Sequence, residues 1–290
     1  MKRFLDRQNG ETLYWRNVFY FAALHLVAAY ALGQLIAGTY ILATILMSSV
    51  LFVCCGVSIT AGYHRLFSHR SYAASKFLQA FFLFFGAATM QGSLMFWAGT
   101  HRRHHARTDE EGDPHNRNRG FLWSHIGWLL VKSAAVTEDP VPDLEKNSLV
   151  RLQEAYYLPL AIFAAFLLPM LLASAWGDPW GGLLVGGVLR LVIQYNTTWA
   201  INSLAHTFGS RRYSKIISAG DNFIVALLTF GEGWHNFHHR HPVDYRNGIR
   251  WYHWDPTKWL IKGASWLGLA RELWRTPKQM LLASKSPKSS

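Results

Sequence analysis

Long apolar runs constrain the fold of this chain more than any other feature. The hydrocarbon core of a bilayer is about 30 Å thick, and a helix needs about 20 apolar residues to cross it. Four stretches reach that length: roughly Val18 to Leu35, Thr39 to Ala61, Tyr157 to Ala175 and Trp180 to Ala205. Only 16% of the 290 residues are charged, against about a quarter in an ordinary soluble domain. The expected fold class is therefore all-α integral membrane, with four transmembrane helices.

The net charge of +12 is read segment by segment, as topology rather than as a nucleic-acid surface. The linker around Gly33 to Gly38 and the linker WGDPW carry no Lys or Arg. Basic residues instead precede the first stretch (Lys2, Arg3, Arg7, Arg16), separate the second from the third, and follow the fourth (Arg211, Arg212, Lys215). By the positive-inside rule, both termini and both large polar segments face the cytoplasm. Phe77 to Trp97 is another apolar run of spanning length, but both its flanks are basic, and Gly86, Gln91 and Gly92 offer places to break. It is expected to be a re-entrant or interfacial helical pair shielded by protein.

The first sixteen residues are polar and lead into a full-length span, which points away from a cleavable signal peptide. Cys54 and Cys55 are the only cysteines and offer neither a disulfide framework nor a Cys-rich metal site. Residues 1–275 read as one membrane domain and residues 276–290, ending in SKSPKSS, as a polar, disordered tail.

Chemistry concentrates in the histidines. HRRHH covers His101, His104 and His105, and HNFHH covers His235, His238 and His239. In H-x-x-H-H a helix puts all three imidazoles on one face, where they can converge on a metal. Random placement of the 14 histidines would give only about 0.03 such windows. HRLFSH adds His64 and His69, five apart, and the helix is expected to end between them. NSLAH adds Asn202 and His206 at the end of the fourth stretch. Nine imidazoles exceed the roughly six ligands of one ion, so two metals are expected. Zinc would use about four ligands with Cys among them; a nitrogen-rich site with open positions suits iron and oxygen chemistry. Asp109, Glu110, Asp113, Asp221 and Glu232 could accept the second ring N–H of ligating histidines. His25, His115, His125, His241 and His253 are assigned structural or surface roles.

TAGYHRLFSHRSY, HRRHH, GDPHNRNRGFLWSHIGW, NSLAH, GEGWHNFHH and WDPTKWLIK together resemble the membrane-bound fatty acid desaturases of the acyl-CoA delta-9 (stearoyl-CoA) type, over roughly residues 17–265. The resemblance implies four transmembrane helices beneath a cytosolic helical cap. It implies two irons held by the nine histidines, with Asn202 reaching a metal through water and no catalytic acid or base beyond the metal centre. Members use O2 and two electrons from a separate donor (a ferredoxin, cytochrome b5 or a reductase) to place a cis double bond in a long acyl chain. Trp97, Asn196, Thr198 and Trp199 are candidate lining residues of the substrate tunnel, with Ser49 and Val53 near its closed end. An Arg-Asp pair that grips coenzyme A in animal members is replaced by Gly99 and Thr100, and a later basic pair by Lys132 and Ser133, leaving Lys132 as the head-group candidate. Acyl-CoA comes first as substrate, with an acyl carrier protein or a phospholipid as the other carriers.

Two alternatives stay open on the residues alone: a related di-iron membrane hydroxylase, and a non-enzymatic metal-binding or transport protein. The short chain, without an added domain, points to a bacterial inner membrane over an endoplasmic reticulum.

Overall fold

The apolar runs form helices, and serine side chains cap the two that make up the run from 77 to 97. The structure, a computed structural model, describes residues 11–133 and 139–284. Helix α1 (Trp15–Ile36) and helix α2 (Leu42–Ser68) are joined by five residues, 37–41. Helix α3 (Lys76–Ala87) is capped by Ser75, whose Oγ accepts from the Leu78 N–H at 3.3 Å. Helix α4 (Leu94–Ala106) is capped in the same way by Ser93, whose Oγ accepts from the Phe96 N–H at 3.3 Å. Met90 (φ 50°) and Gly92 (φ 98°) make the turn between them in the left-handed region. The run from 77 to 97 is thus a helical pair, as expected. Its break falls at Gln91 and Gly92, while Gly86 stays inside α3, where a Cβ would sit 2.2 Å from the Tyr63 ring.

Helix α5 (Ser148–Ala155) leads into α6 (Tyr157–Ser174), and α7 covers residues 179–203 without interruption. Among the described residues, α1, α2 and α6 are the three helices long and apolar enough to cross a membrane. The fourth expected stretch is present as α7 but carries the buried Arg190. Helix α7 is the centre of the bundle and packs against α1, α2 and α6. Glycine makes that approach close: a Cβ on Gly182 would lie 2.3 Å from the Pro169 carbonyl oxygen of α6.

Helix α8 (His235–Arg240) and helix α9 (Pro256–Trp266) belong to the polar end of the molecule. Two-residue strands β1 (Thr12–Leu13), β2 (Ala73–Ala74), β3 (Val131–Lys132) and β4 (Ala270–Arg271) pair antiparallel, β1 with β3 and β2 with β4. One buried apolar cluster joins Phe21 and Leu24 of α1 to Leu191, Tyr195 and Trp199 of α7. A second joins Tyr63, Phe67, Phe82, Leu94 and Ile261, tying the end of α2 to α3, α4 and α9.

The expected tail begins later than residue 276. Thr276 is buried, with its N–H donating to Asp244 Oδ2 at 2.8 Å, and Lys278–Ala283 is helical. The Ser284 hydroxyl then meets His241 Nε2 at 3.0 Å, while residues 285–290 lie outside the described residues.

Candidate metal centre

The helix ends between His64 and His69 as expected, at Ser68 with His69 as its C-cap, but the two histidines do not diverge. Residues Ser58–Ser68 form a π-helix, in which each turn closes on the fifth residue along, and the His69 N–H donates to the His64 carbonyl at 3.1 Å. Residues five apart, which diverge on an α-helix, are stacked here. The two rings meet edge to face with centroids 4.8 Å apart.

The nine histidines separate into two groups. Ring nitrogens of His64, His69, His101, His105 and His238 lie within 4.8 Å of one another, and so do those of His104, His206, His235 and His239. Each H-x-x-H-H helix feeds both groups. In α4 the i, i+4 pair His101 and His105 serves the group of five and His104 the group of four. In α8 the pair His235 and His239 serves the four and His238 the five. The groups touch where His105 stacks on His239, with centroids 4.2 Å apart.

Facing nitrogens approach closely. The Nε2 atoms of His64 and His238 are 2.9 Å apart, those of His69 and His101 2.8 Å, and those of His206 and His235 3.0 Å. Behind them, acceptors fix the tautomers. His64 Nδ1 lies 2.7 Å from Glu232 Oε2, and His104 Nδ1 lies 2.8 Å from Asp113 Oδ1. His206 Nδ1 lies 2.7 Å from the Ser218 hydroxyl, which donates to Asp109 Oδ1 at 2.5 Å. An ionised carboxylate only accepts, so the Nδ1 atoms of His64 and His104 hold protons and their Nε2 atoms present lone pairs. His104 Nε2 is buried and has no hydrogen-bond partner. A dry lone pair aimed at other ring nitrogens fits a metal cation, as does a donor set made only of imidazole. Burial, reinforced by neighbouring imidazoles, holds His69, His101, His105, His235, His238 and His239 well below the usual histidine range, so they are neutral at pH 7.

Of the expected acids, Asp113 and Glu232 touch histidines of the two groups directly and Asp109 acts through Ser218. Asp221 instead caps α8, its Oδ1 accepting from the Asn236 and Phe237 N–H groups at 2.9 and 3.1 Å. Glu110 is exposed. Burial opposes ionisation of Glu232, but His64 and Arg65 outweigh it and bring its pKa down to about 2. Arg65 is fully buried, and its guanidinium also donates to both oxygens of Asp255, at 3.0 and 3.2 Å, and to the Tyr245 carbonyl.

A cavity of about 980 Å³ opens beside the histidines. His64, His101, His104 and His235 line it, and so do Asn202, Trp97, Thr198, Trp199 and Lys132. Asn196 does not; it bridges His25 and His125 at 3.2 and 3.4 Å, the structural use expected of those two histidines. Ser49 and Val53 are corrected outright. Both lie on the outer, exposed face of α2, whereas Thr44, Ser48, Leu51 and Cys55 turn inward. Three lining features escaped the sequence reading. Gln91 accepts from Trp97 Nε1 at 3.3 Å and donates to the Thr198 hydroxyl at 3.2 Å. Tyr14 and Arg16 stand beside Lys132 at one end of the cavity. His115, assigned to a polar loop, is buried against Trp128 and near His104 and Asp113; its place in GDPHN, two residues after an expected acid, was the available signal.

The description "Fatty acid desaturase" belongs to the family model that matches residues 41–266. The chain belongs to the fatty acid desaturase family. Among curated relatives, the probable acyl-CoA desaturase of Schizosaccharomyces pombe is 44% identical over 233 residues, 79% of this chain and 49% of the relative. Acyl-CoA desaturase 1 of Saccharomyces cerevisiae is 43% identical, covering 75% of this chain and 43% of its own length. Stearoyl-CoA desaturase 5 of Bos taurus is 39% identical over 287 residues, 97% of this chain and 85% of the relative. The chain thus matches about half the length of the two yeast desaturases and most of the bovine one. These eukaryotic relatives give the expected bacterial inner membrane no support. The reason offered for it fails as well, since a bovine desaturase is nearly spanned by a chain of this length.

Proposed function

We propose that this desaturase uses O2 to place a cis double bond, at the delta-9 position, in a long-chain saturated acyl group carried on coenzyme A. The observation that carries the reading is the division of nine histidines into five and four beside a cavity that continues among apolar helices. His64, His69, His101, His105 and His238 would hold one iron. His104, His206, His235 and His239 would hold the other, with Asn202 reaching it through a water. When bound, the iron pair would activate O2, the oxidant consumed in removing hydrogen from an unactivated methylene, with two electrons coming from the donor.

The protein's own residues select which methylene. Trp97 stacks on His101 at 4.9 Å and is tied through Gln91 to Thr198, so a wall stands directly beside the ligands. An acyl chain entering along the cavity has to turn there, which sets the carbons presented to the metals. Trp199, held parallel to Tyr195 at 5.2 Å, forms a further rigid surface. At the far end Lys132 and Arg16 flank the Tyr14 ring at 5.2 and 4.8 Å and offer cations to a phosphate-bearing carrier. Gly99 has no room for a side chain, because a Cβ would lie 2.8 Å from the Asp139 carbonyl. Carrier recognition therefore falls to this end of the cavity. A carrier protein or a phospholipid is the alternative source of the acyl chain.

On this reading the chain forms one membrane domain that continues past residue 275, α7 is the fourth crossing, and both termini and the histidines face the cytoplasm. Arg190 does not bar α7 from the membrane. Its guanidinium donates to the carbonyls of Gly186, Ala88 and Ala165 at 2.8, 3.1 and 3.3 Å, which is how a deep charge is accommodated. Electrons come from a separate donor protein at the cytoplasmic face. The deciding experiment is the fatty-acid profile of a host expressing the chain beside a His104→Ala variant at equal level. New cis-9 16:1 or 18:1 acids that vanish with the variant support the reading. Hydroxylated chains would move the protein to the related oxygenases, and no new product with a reconstituted donor would remove the enzyme assignment.

A further inference from the structure

A second cavity, of about 400 Å³, lies away from the histidine cavity, and nothing in the proposed reaction uses it. Its height relative to the spans follows from two contacts. Phe230 follows the short helix Phe223–Leu228, and its ring occupies the place where a Cβ on Gly56 of α2 would sit, 2.1 Å away. The Thr257 hydroxyl at the start of α9 meets that of Thr60 of α2 at 2.7 Å. The helix Phe223–Leu228, the loop at 250–254 and the first turn of α9 therefore gather round the inner end of the apolar run of α2. Their outer faces are apolar: Ile224, Leu227 and Leu228 are exposed, and Trp266 at the end of α9 and Leu267 just after it are 77% and 76% exposed. Lys262 lies 5.6 Å over the Trp266 ring. Exposed tryptophans with a neighbouring cation mark a helix lying in a membrane interface.

The cavity opens in this belt and has three kinds of wall. Arg212 and Arg250 both line it and both are exposed. Arg212 makes no hydrogen bond or ion pair among the described residues, and Arg250 donates only to the Tyr252 hydroxyl. Phe223, Tyr252 and Trp254 supply aromatic faces, above the parallel stack of Trp234 on His253 at 4.1 Å. Asp221 adds a carboxylate whose Oδ1 is occupied by the amides that start α8. Guanidiniums recognise phosphate. Aromatic rings beside a carboxylate recognise an ammonium, best a quaternary one. A plain anion would use the arginines but would be repelled by Asp221, so one ligand that uses all three walls carries both charges.

We propose that this cavity binds the head group of a zwitterionic phospholipid, with its phosphate on Arg212 and Arg250 and its quaternary ammonium between the aromatic rings and Asp221. The site rests on the membrane reading given above but not on the desaturation chemistry. A bound head group would sit against the residue that caps α8, and so against the helix carrying His235, His238 and His239.

The test uses the full chain purified in a maltoside detergent and titrated with dihexanoyl-phosphatidylcholine, dihexanoyl-phosphatidylglycerol or glycerol 3-phosphate, with tryptophan fluorescence and Tm as readouts. Phosphatidylcholine should bind saturably and raise Tm. Phosphatidylglycerol should bind about tenfold more weakly and glycerol 3-phosphate not measurably. The Arg212→Ala/Arg250→Ala double variant, which removes two exposed side chains, should weaken both lipids by at least about tenfold. Trp254→Leu should weaken phosphatidylcholine alone. Unchanged phosphatidylcholine binding in the double variant overturns the site. Equal affinity for the two lipids overturns the ammonium half, and binding of glycerol 3-phosphate as tight as the lipid overturns the lipid source. A wild-type chain that stays monodisperse without detergent would instead remove the membrane reading.

Discussion

Glu232→Gln tests how far one buried carboxylate governs the metal centre. Glu232 Oε2 accepts from His64 Nδ1 at 2.7 Å and Asn247 Nδ2 at 2.9 Å, while Oε1 accepts from Arg65 Nη2 at 2.8 Å and Nε at 3.3 Å. Both oxygens face only donors. Glutamine keeps the volume but has one oxygen, so its NH2 must point either at Arg65 or at His64 and Asn247. Facing Arg65, it breaks a buried charge-assisted pair. Facing His64, it can be satisfied only if the ring moves its proton to Nε2, the atom needed by the metal. Hydrogen bonds to charged groups contribute about 1.5–3 kcal/mol, so losing one and weakening a second should cost roughly 2–4 kcal/mol of stability. If His64 holds iron as proposed, losing the partner behind it should weaken the metal about 10–100-fold. Iron per chain, measured by mass spectrometry after dialysis against graded chelator, checks the second figure; the urea midpoint in mixed micelles checks the first. If iron retention and stability both match the wild type, the assigned tautomer and the role of Glu232 are wrong.

Three further outcomes follow from particular contacts. Gln91→Leu cuts the link between Trp97 and Thr198, so double-bond position should spread over neighbouring carbons while iron content is kept; gas chromatography of dimethyl disulfide adducts reads this, and a single unchanged isomer would refute it. Ser49→Trp and Val53→Trp alter an outward face, so the preferred chain length should stay as in the wild type; a shift to shorter products would return them to the tunnel. Gly182→Ala forces a Cβ against the Pro169 carbonyl and should destabilise by about 1–3 kcal/mol, whereas Gly33→Ala meets nothing within 4 Å and should be neutral or slightly stabilising. Equal Tm values for the two variants would contradict the close packing of α7 on α6.

Much of the site was legible because histidine spacing is local. In α4 and α8 the i, i+3, i+4 pattern puts three rings on one face, and all nine nominated imidazoles do meet. What spacing did not give was their division, since His104 and His238 each leave their helical neighbours for the other group. The faces of α2 were illegible for a different reason. A helix apolar all round has no polar side to show which way Ser49 and Val53 point. Gln91 was read only as a break and His115 only as structural or surface, because the Thr198 partner of Gln91 lies 107 positions away and the packing of His115 on Trp128 exists only in the fold. Arg65 shows the same limit, for the Asp255 carboxylate that it holds is 190 positions distant. The tail was placed too early because composition alone does not reveal that the Thr276 amide is taken by Asp244.

The wide helical turn at Ser58–Ser68 also constrains how this gene segment can change. Side chains there other than His64 and Arg65 could be exchanged one at a time with local consequences. Removing or adding a single residue would do more, because every side chain beyond it would turn to a different face of the helix. His64 would swing away from His69 and His238, and Arg65 away from Glu232 and Asp255, with the apolar character of the stretch left almost untouched. Among related chains that keep the activity, this segment should therefore vary in its letters but not in its length.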